Sequence, residues 1–408
     1  MSVDVRTRDD GPVPALDAER WFRETLPGAL DASRAGIAPG AALLRLRPLA
    51  ITTPDAQATV YWHGDRGEVV PGAGDGSVAW RLTADELADL VSDQSTPMAM
   101  FSSGRLRVSG GGLTDLLDWW LVLRAALDGR AIHTPGSVGF RARDGSPLDL
   151  DRSFAPDDDP AEMSHFLHEA GFLHLRGWLD PARMDQISAD MDAAVGDYRD
   201  GDGNSWWVTT SSGARRCVRM QCFDAKSPTT AELLEDPAFV RIAELTGDGH
   251  RGQQGLVGNR VEALFKPIGV AQGISDVPWH KDCSLGRHSY DCSNLTTGIS
   301  VTGATEDSGQ LRVRPGSHRA LCWPALPQPG LDLPDRPLPT EQGDITVHLS
   351  CTLHMAQPPV ARERRVLYTG FRLPDRSAAA ARARQKLRAV REAAPVTVSQ
   401  ESSRAGSS

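Results

Sequence analysis

The sequence predicts two domains of different class, an α+β unit near the N-terminus and a second unit dominated by strand-like runs. Three observations predict this. The chain has 408 residues, enough for two substantial cores. Residues 133–159 are rich in Gly, Pro and Asp and end in APDDDP, which reads as a linker. Apolar alternation and helix-period segments precede that break, while the extended runs VPWHKD, ITVHL and RVLYTGF follow it. The expected division is a flexible N-terminus over 1–20, an α+β domain over 21–132, a linker over 133–159, a second domain over 160–374, and a helical then disordered tail over 375–408.

In the first domain, ALLRLRPLAI and TVYWHG alternate as paired strands should. SVAWRLTADELADLVSD predicts a strand and then a helix, started by Thr83 with Glu86 three positions on, a capping box. PMAMFSSGRLRVSGGG predicts a helix-like apolar segment, a short strand and a Gly-rich turn. The long helix that follows presents Leu113, Leu116, Leu117, Trp120, Leu121, Leu123 and Leu127 as a broad apolar surface.

Composition removes several classes of function. The formal charge of −9, from 44 basic and 53 acidic residues, includes no basic block of the kind nucleic-acid binding requires. No apolar run reaches the roughly 20 residues needed to span a bilayer. Six cysteines without a CxxC pair or secretory leader point to free thiols and a cytoplasmic protein.

His280 and Asp282, in VPWHKDCS, with His354 in VHLSCTLHMAQ, carry the chemistry. Two imidazoles and a carboxylate form the triad that holds non-haem Fe(II) and leaves coordination positions open. His-X-Asp alone proves little, because about one arises by accident in a chain with 11 histidines. His63 and Asp65, in YWHGDRGEV, are such a match, and Gly64-Asp65 reads as a hairpin turn. In an extended VPWHKD, His280 and Asp282 share a face while Lys281 points away. Arg365 lies eleven positions beyond His354 and would share a strand face with Leu367, Thr369 and Phe371. A guanidinium among apolar neighbours calls for a carboxylate, as on a dicarboxylate co-substrate.

Several blocks follow in order: FLHEAGFLHLRGWLDPARMDQISADMD, VEALFKP, WHKD, EDSGQLRVRPGSH, GDITVHLSCTLH and RRVLYTGF. From about Pro160 to Pro374 the chain resembles the phytanoyl-CoA dioxygenase family of Fe(II)/2-oxoglutarate oxygenases. The resemblance implies a double-stranded β-helix, a jelly-roll or cupin fold, with flanking helices. It implies Fe(II) on His280, Asp282 and His354, 2-oxoglutarate with its far carboxylate on Arg365, and O2 as the other co-substrate. Lys266 matches the family's Lys-Pro strand end. Ala356 stands where the family often has a Ser that helps to hold the co-substrate, so Gln357, Thr369 and Thr297 are candidates to supply that hydrogen bond. Asp282 stands where related halogenases carry a small residue, which favours hydroxylation or another outcome of hydrogen abstraction.

The first domain resembles the sterol-carrier-protein type of lipid-binding domain, through ADELADLVSD and PMAMFSSGRLRVSGG. That resemblance implies a hydrophobic ligand, with a scaffold role or a homodimer through this domain as the alternative. The implied substrate is a small, hydrophobic or acyl-linked metabolite, oxidised with release of succinate and CO2. Competing readings are a non-catalytic lipid-binding or transfer protein and a cupin metalloenzyme that does not use 2-oxoglutarate. His318 is expected to be structural, His348 to face the cavity or the core, and His288 to touch substrate. Gly201–Arg216, with Trp206 and Trp207, is expected to be a flap, and Ala325–Glu341 a long loop at the mouth.

Overall fold

The computed structural model describes residues 13–252, 260–273, 277–285 and 294–372. Two apolar cores organise them. The first is built on a five-stranded sheet of β1 (Leu49–Thr52), β2 (Gln57–His63), β3 (Arg66–Pro71), β4 (Val78–Arg81) and β5 (Arg107–Ser109), in the order β3-β2-β1-β4-β5. Only β1 and β4 run parallel. Gly64, at φ +61°, turns β2 into β3 with His63 opposite Arg66. Asp65 pairs with Arg34 and His63 lies 3.4 Å from Glu68, so this His-X-Asp match is a hairpin turn. The capping box forms as expected: Thr83 accepts from the Glu86 amide, and Glu86 accepts from the Thr83 amide at 2.7 Å.

The helix Leu113–Asp128 departs from the expected one-sided pattern. Every residue from Leu116 to Ala126 is buried, including Asp118 and Arg124. Polar groups taken out of water this way need partners. Arg124 finds Asp128 and the carbonyls of Leu90 and Val91, and Asp118 accepts from the Arg45 amide and the Trp323 indole. The sequence pattern could not show those partners, because most of them are distant along the chain.

The second core belongs to a jelly roll. β10 (Glu262–Lys266), β13 (Leu295–Ser300), β16 (Ile345–Leu349) and β18 (Arg364–Arg372) form the centre of a larger sheet, in the order β10-β18-β13-β16. β12 (Val277–His280), β14 (Leu311–Arg314), β15 (Arg336–Leu338) and β17 (Leu353–Ala356) form a smaller one, ordered β12-β17-β14-β15. Strands shared out between two antiparallel sheets in this sequence define a double-stranded β-helix. The larger sheet is extended by β6 (Phe172–Leu175) on β16, by β8 (Arg215–Met220), β7 (Ser205–Thr210) and β11 (Val270–Gln272) beyond β10, and by β9 (Arg251–Gly252) on β18.

Helices Pro160–Ala170 and Pro181–Ala194 cover the outside of the larger sheet. Each opens on an Asp-Pro step in which Asp159 or Asp180 caps the amide two residues on. Their Met163, Phe166, Leu167, Met184 and Ile187 share one core with Leu173, Val347, Leu367 and Phe371. The odd-numbered residues of β16 and β18 therefore face these helices, and the even-numbered ones face the interior.

Three expectations change. Residues 133–159 do not hang free: Leu150 and Phe154 enter the second core, and Phe154 exchanges backbone hydrogen bonds with His174 and Arg176. The expected flap is the β7–β8 hairpin, joined to the larger sheet through β10, with Arg219 over the Trp206 ring. The expected loop at Ala325–Glu341 contains β15. His288 and the tail lie outside the described residues.

Candidate metal centre

β12 and β17 bring the two imidazoles together, because His280 and His354 are direct cross-strand partners. Their ring centroids are 4.2 Å apart. Asp282 opens the turn Asp282–Leu285 immediately after β12, and its Oδ1 lies 3.5 Å from Nε2 of each histidine. The three potential ligand atoms all fall within 4.8 Å of one another. His354 is buried, while His280 and Asp282 are half-buried at the rim.

The other half of each ligand group is tied down. His280 Nδ1 donates to the Pro278 carbonyl at 2.8 Å and His354 Nδ1 to the Thr352 carbonyl at 2.9 Å. In neutral rings this leaves both Nε2 lone pairs directed at the centre, the usual arrangement around a metal-binding histidine. Asp282 is divided the same way. Its Oδ2 accepts from Thr296 Oγ1 at 2.6 Å and lies 3.4 Å from His348 Nε2, which frees Oδ1. Burial pushes the His280 pKa down, and the neighbouring His354 adds to that. For Asp282, burial acts against the charge, but His354, His280 and His348 outweigh it and hold the carboxyl well below its ordinary range. Neutral imidazoles and an ionised carboxylate are the protonation states a divalent ion requires. The donor set fits Fe(II).

Face alternation decides where the remaining candidates lie. Arg365 does not reach the interior. Its guanidinium bonds Ser188 O, Ser188 Oγ and Asp192 on helix Pro181–Ala194, and stacks over Phe265. It shares a face with Leu367, Thr369 and Phe371 as expected, but that face looks at the covering helices. Thr369 donates to the Arg260 carbonyl on that side, and Thr297 is its direct cross-strand partner. Gln357 follows β17, where its amide donates to the Gln310 carbonyl. The structure therefore does not bring Arg365, Thr369 or Thr297 to the metal side.

Arg364, which the sequence reading passed over, faces inward. It is 4% exposed, and its Nε and Nη2 have no hydrogen-bond partner among the described residues. Burial lowers its pKa, and Tyr368, four positions on along the same face, opposes this by its electrostatic interaction and by hydrogen bonding. Lys266, also buried, is its cross-strand partner on β10. Thr296 and His348 lie on the same inward face of the larger sheet. The step of two already groups Arg364 with Tyr368 and Gly370, and Arg365 with Leu367 and Phe371; which group the helices cover is what the strand's own residues do not show. Beside Asp282, Cys283 is buried with its sulfur 3.2 Å from that of Cys351, and burial raises its pKa well above the ordinary value. It forms part of the wall.

Jelly roll, triad and inward-facing cation together define a class, and the comparisons name it. Residues 167–366 match the model of the family described as Phytanoyl-CoA dioxygenase (PhyH). The protein is a non-haem Fe(II)/2-oxoglutarate-dependent dioxygenase whose second half carries that family's fold, with Fe(II), 2-oxoglutarate and O2 as cofactor and co-substrates. No curated protein matches the sequence. Similar solved structures include the non-haem α-ketoglutarate-dependent epimerase SnoN from nogalamycin biosynthesis, at 20% identity and a TM-score of 0.41, covering 52% of this chain and 83% of that one. AviO1 from Streptomyces viridochromogenes Tue57 matches at 19% identity and a TM-score of 0.41, covering 54% and 97%. EctD from S. alaskensis with 2-oxoglutarate and 5-hydroxyectoine matches at 17% identity and a TM-score of 0.43, covering 59% and 85%.

Proposed function

We propose that His280, Asp282 and His354 hold Fe(II), and that Arg364 receives the far carboxylate of 2-oxoglutarate with Lys266 and Tyr368 beside it. The reaction is oxidation of an unactivated C–H bond, hydroxylation in its simplest form, on a small hydrophobic or acyl-linked metabolite. Bound Fe(II) supplies the reductive activation of O2, coupled to decarboxylation of 2-oxoglutarate to succinate. The chain supplies geometry and the exclusion of water. Thr296 and His348 fix the Asp282 carboxylate, the Pro278 and Thr352 carbonyls fix the imidazoles, and the Arg364 fork orients the dicarboxylate.

The observation that carries this reading is the paired tautomer-setting hydrogen bonds behind His280 and His354, which leave both Nε2 atoms free at one point. The two domains follow the division at residues 133–159. The first domain's five-stranded sheet with helices supports a sterol-carrier-like fold. Trp80, Trp119 and Trp120 are all fully buried in the first core, which supports a scaffold role over lipid carriage.

The test is an anaerobic titration of the Fe(II)-loaded protein with 2-oxoglutarate, followed by the visible charge-transfer band. His354→Ala should abolish the band. Arg364→Ala removes charge-assisted hydrogen bonds of about 1.5–3 kcal/mol and should weaken 2-oxoglutarate binding roughly 10- to 150-fold. Arg365→Ala should leave the affinity within about threefold, since Arg365 is a surface-side ion pair. The reverse pattern would return the co-substrate to Arg365.

A further inference from the structure

We infer that Asp118 and Trp323 are a positioning pair, which anchors the strand bearing His280 to the core of the first domain. This rests on the reading of His280 as an iron ligand.

The observations form one continuous chain of contacts. Asp118, buried on the long helix of the first domain, accepts the Trp323 indole N–H on Oδ1 at 3.0 Å and the Arg45 amide on Oδ2 at 3.2 Å. Burial raises its pKa, so the two donors are what it has in place of water. Leu321, Trp323 and Ala325 belong to the first apolar core, although they follow β14 of the jelly roll. The His133 amide donates to the Leu321 carbonyl at 3.0 Å, which ties the start of this segment to the end of the first domain.

The same short segment lies alongside β12. The Lys281 amide donates to the Pro324 carbonyl at 2.8 Å, the Leu326 amide donates to the Trp279 carbonyl at 3.0 Å, and His280 and Ala325 form an antiparallel bridge. β12 is thus held between two neighbours. One is β17, which carries His354, and the other is a segment fastened to the first domain. Helix Pro97–Ser102 of the first domain also lies against the turn Asp282–Leu285. β12 has four residues and an irregular register against β17, so its own ladder is a weak guide. A metal site tolerates misplacement of only about 0.5 Å, and outer supports usually supply that accuracy.

A simple glue between domains would change stability alone, whereas a positioning pair changes metal affinity. The experiment measures Fe(II) binding to the full-length apo protein under anaerobic conditions, with folding checked by circular dichroism. Trp323→Phe, which removes only the indole N–H, and Asp118→Leu should each weaken Fe(II) binding at least about tenfold. Asp118→Asn keeps an acceptor for the indole and should recover most of the affinity. Leu87→Ala loosens the same core from helix Ala84–Val91, and should lower Tm while leaving Fe(II) affinity unchanged. Wild-type Fe(II) affinity in folded Trp323→Phe and Asp118→Leu would overturn the proposal, and Trp323→Phe alone would do so if Asp118→Leu failed to fold. If wild type and His354→Ala bound Fe(II) equally, the metal-site reading itself would fall, and the positioning pair with it.

Discussion

Arg364 and Arg365 are chemically identical neighbours whose surroundings could hardly differ more. One is buried in the jelly roll with its Nε and Nη2 lacking a hydrogen-bond partner among the described residues, and the other is satisfied by Ser188 and Asp192 under a helix. Successive strand residues face opposite sides, so a shift of one reverses every assignment on the strand. The grouping of His280, Asp282 and His354 was legible in the sequence, whereas the arginine expected to meet a co-substrate, Arg365, lies on the helix side. Which of two adjacent arginines serves depends on which sheet face the helices cover, and no local pattern records that. His318 offers a separate test at this scale. Its Nε2 donates to the His168 carbonyl, its Nδ1 has no hydrogen-bond partner among the described residues, and burial lowers its pKa to about 3. A folded pKa below the ordinary 6.5 means that the unfolded chain binds the proton more readily. The neutral ring's contribution is complete above pH 6.5 and is lost as pH falls towards 3. Thermal melts should therefore show wild type losing stability between pH 6.5 and 4, while His318→Gln starts lower and loses less. Equal losses would remove His318 as a source of the pH dependence.

At the level of elements, start signals were the most legible part of the sequence. The Thr83–Glu86 box begins its helix as read, and the Asp-Pro steps begin both covering helices. What could not be read is what surrounds an element. Leu113–Asp128 has a helical pattern on either reading, but its burial on nearly every side follows from helices Leu26–Ala32, Arg34–Ala41 and Pro97–Ser102 packing on it, with Trp323 reaching Asp118. The β7–β8 hairpin was mistaken for a flap because a polar, Gly-containing stretch looks alike whether or not an edge strand awaits it. Gly171 shows an element boundary under tight constraint. It ends helix Pro160–Ala170 at φ +83°, and an added Cβ would lie 2.3 Å from His318 Nδ1 and 2.6 Å from Thr352 Oγ1. Gly171→Ala should cost about 1–3 kcal/mol from backbone conformation alone, with the clash adding to it. Urea unfolding should show a lower midpoint, and an unchanged midpoint would mean the turn can re-form.

For the whole molecule, the sequence distinguished two pieces and placed a connection between them, but treated them as neighbours. The structure makes them share material: the first core holds Leu321, Trp323 and Ala325, while the connection contributes Leu150 and Phe154 to the second. Contacts between residues so far apart in the chain leave no periodic trace, which is why the joint was not visible in the sequence.

That sharing has a practical consequence. A bond cut within residues 133–159 should nick the molecule without separating it, because the two fragments would still hold each other through Leu321, Trp323 and Ala325 and through the hydrogen bond from Trp323 to Asp118. Limited proteolysis followed by gel filtration should elute both fragments together at the intact size. A truncated chain beginning after the cut should instead be sticky and poorly soluble, having lost the surface against which those side chains are normally packed. Anyone wishing to shorten this oxygenase, or to transplant its catalytic half, would have to carry a patch of the first domain along or redesign three positions in the second.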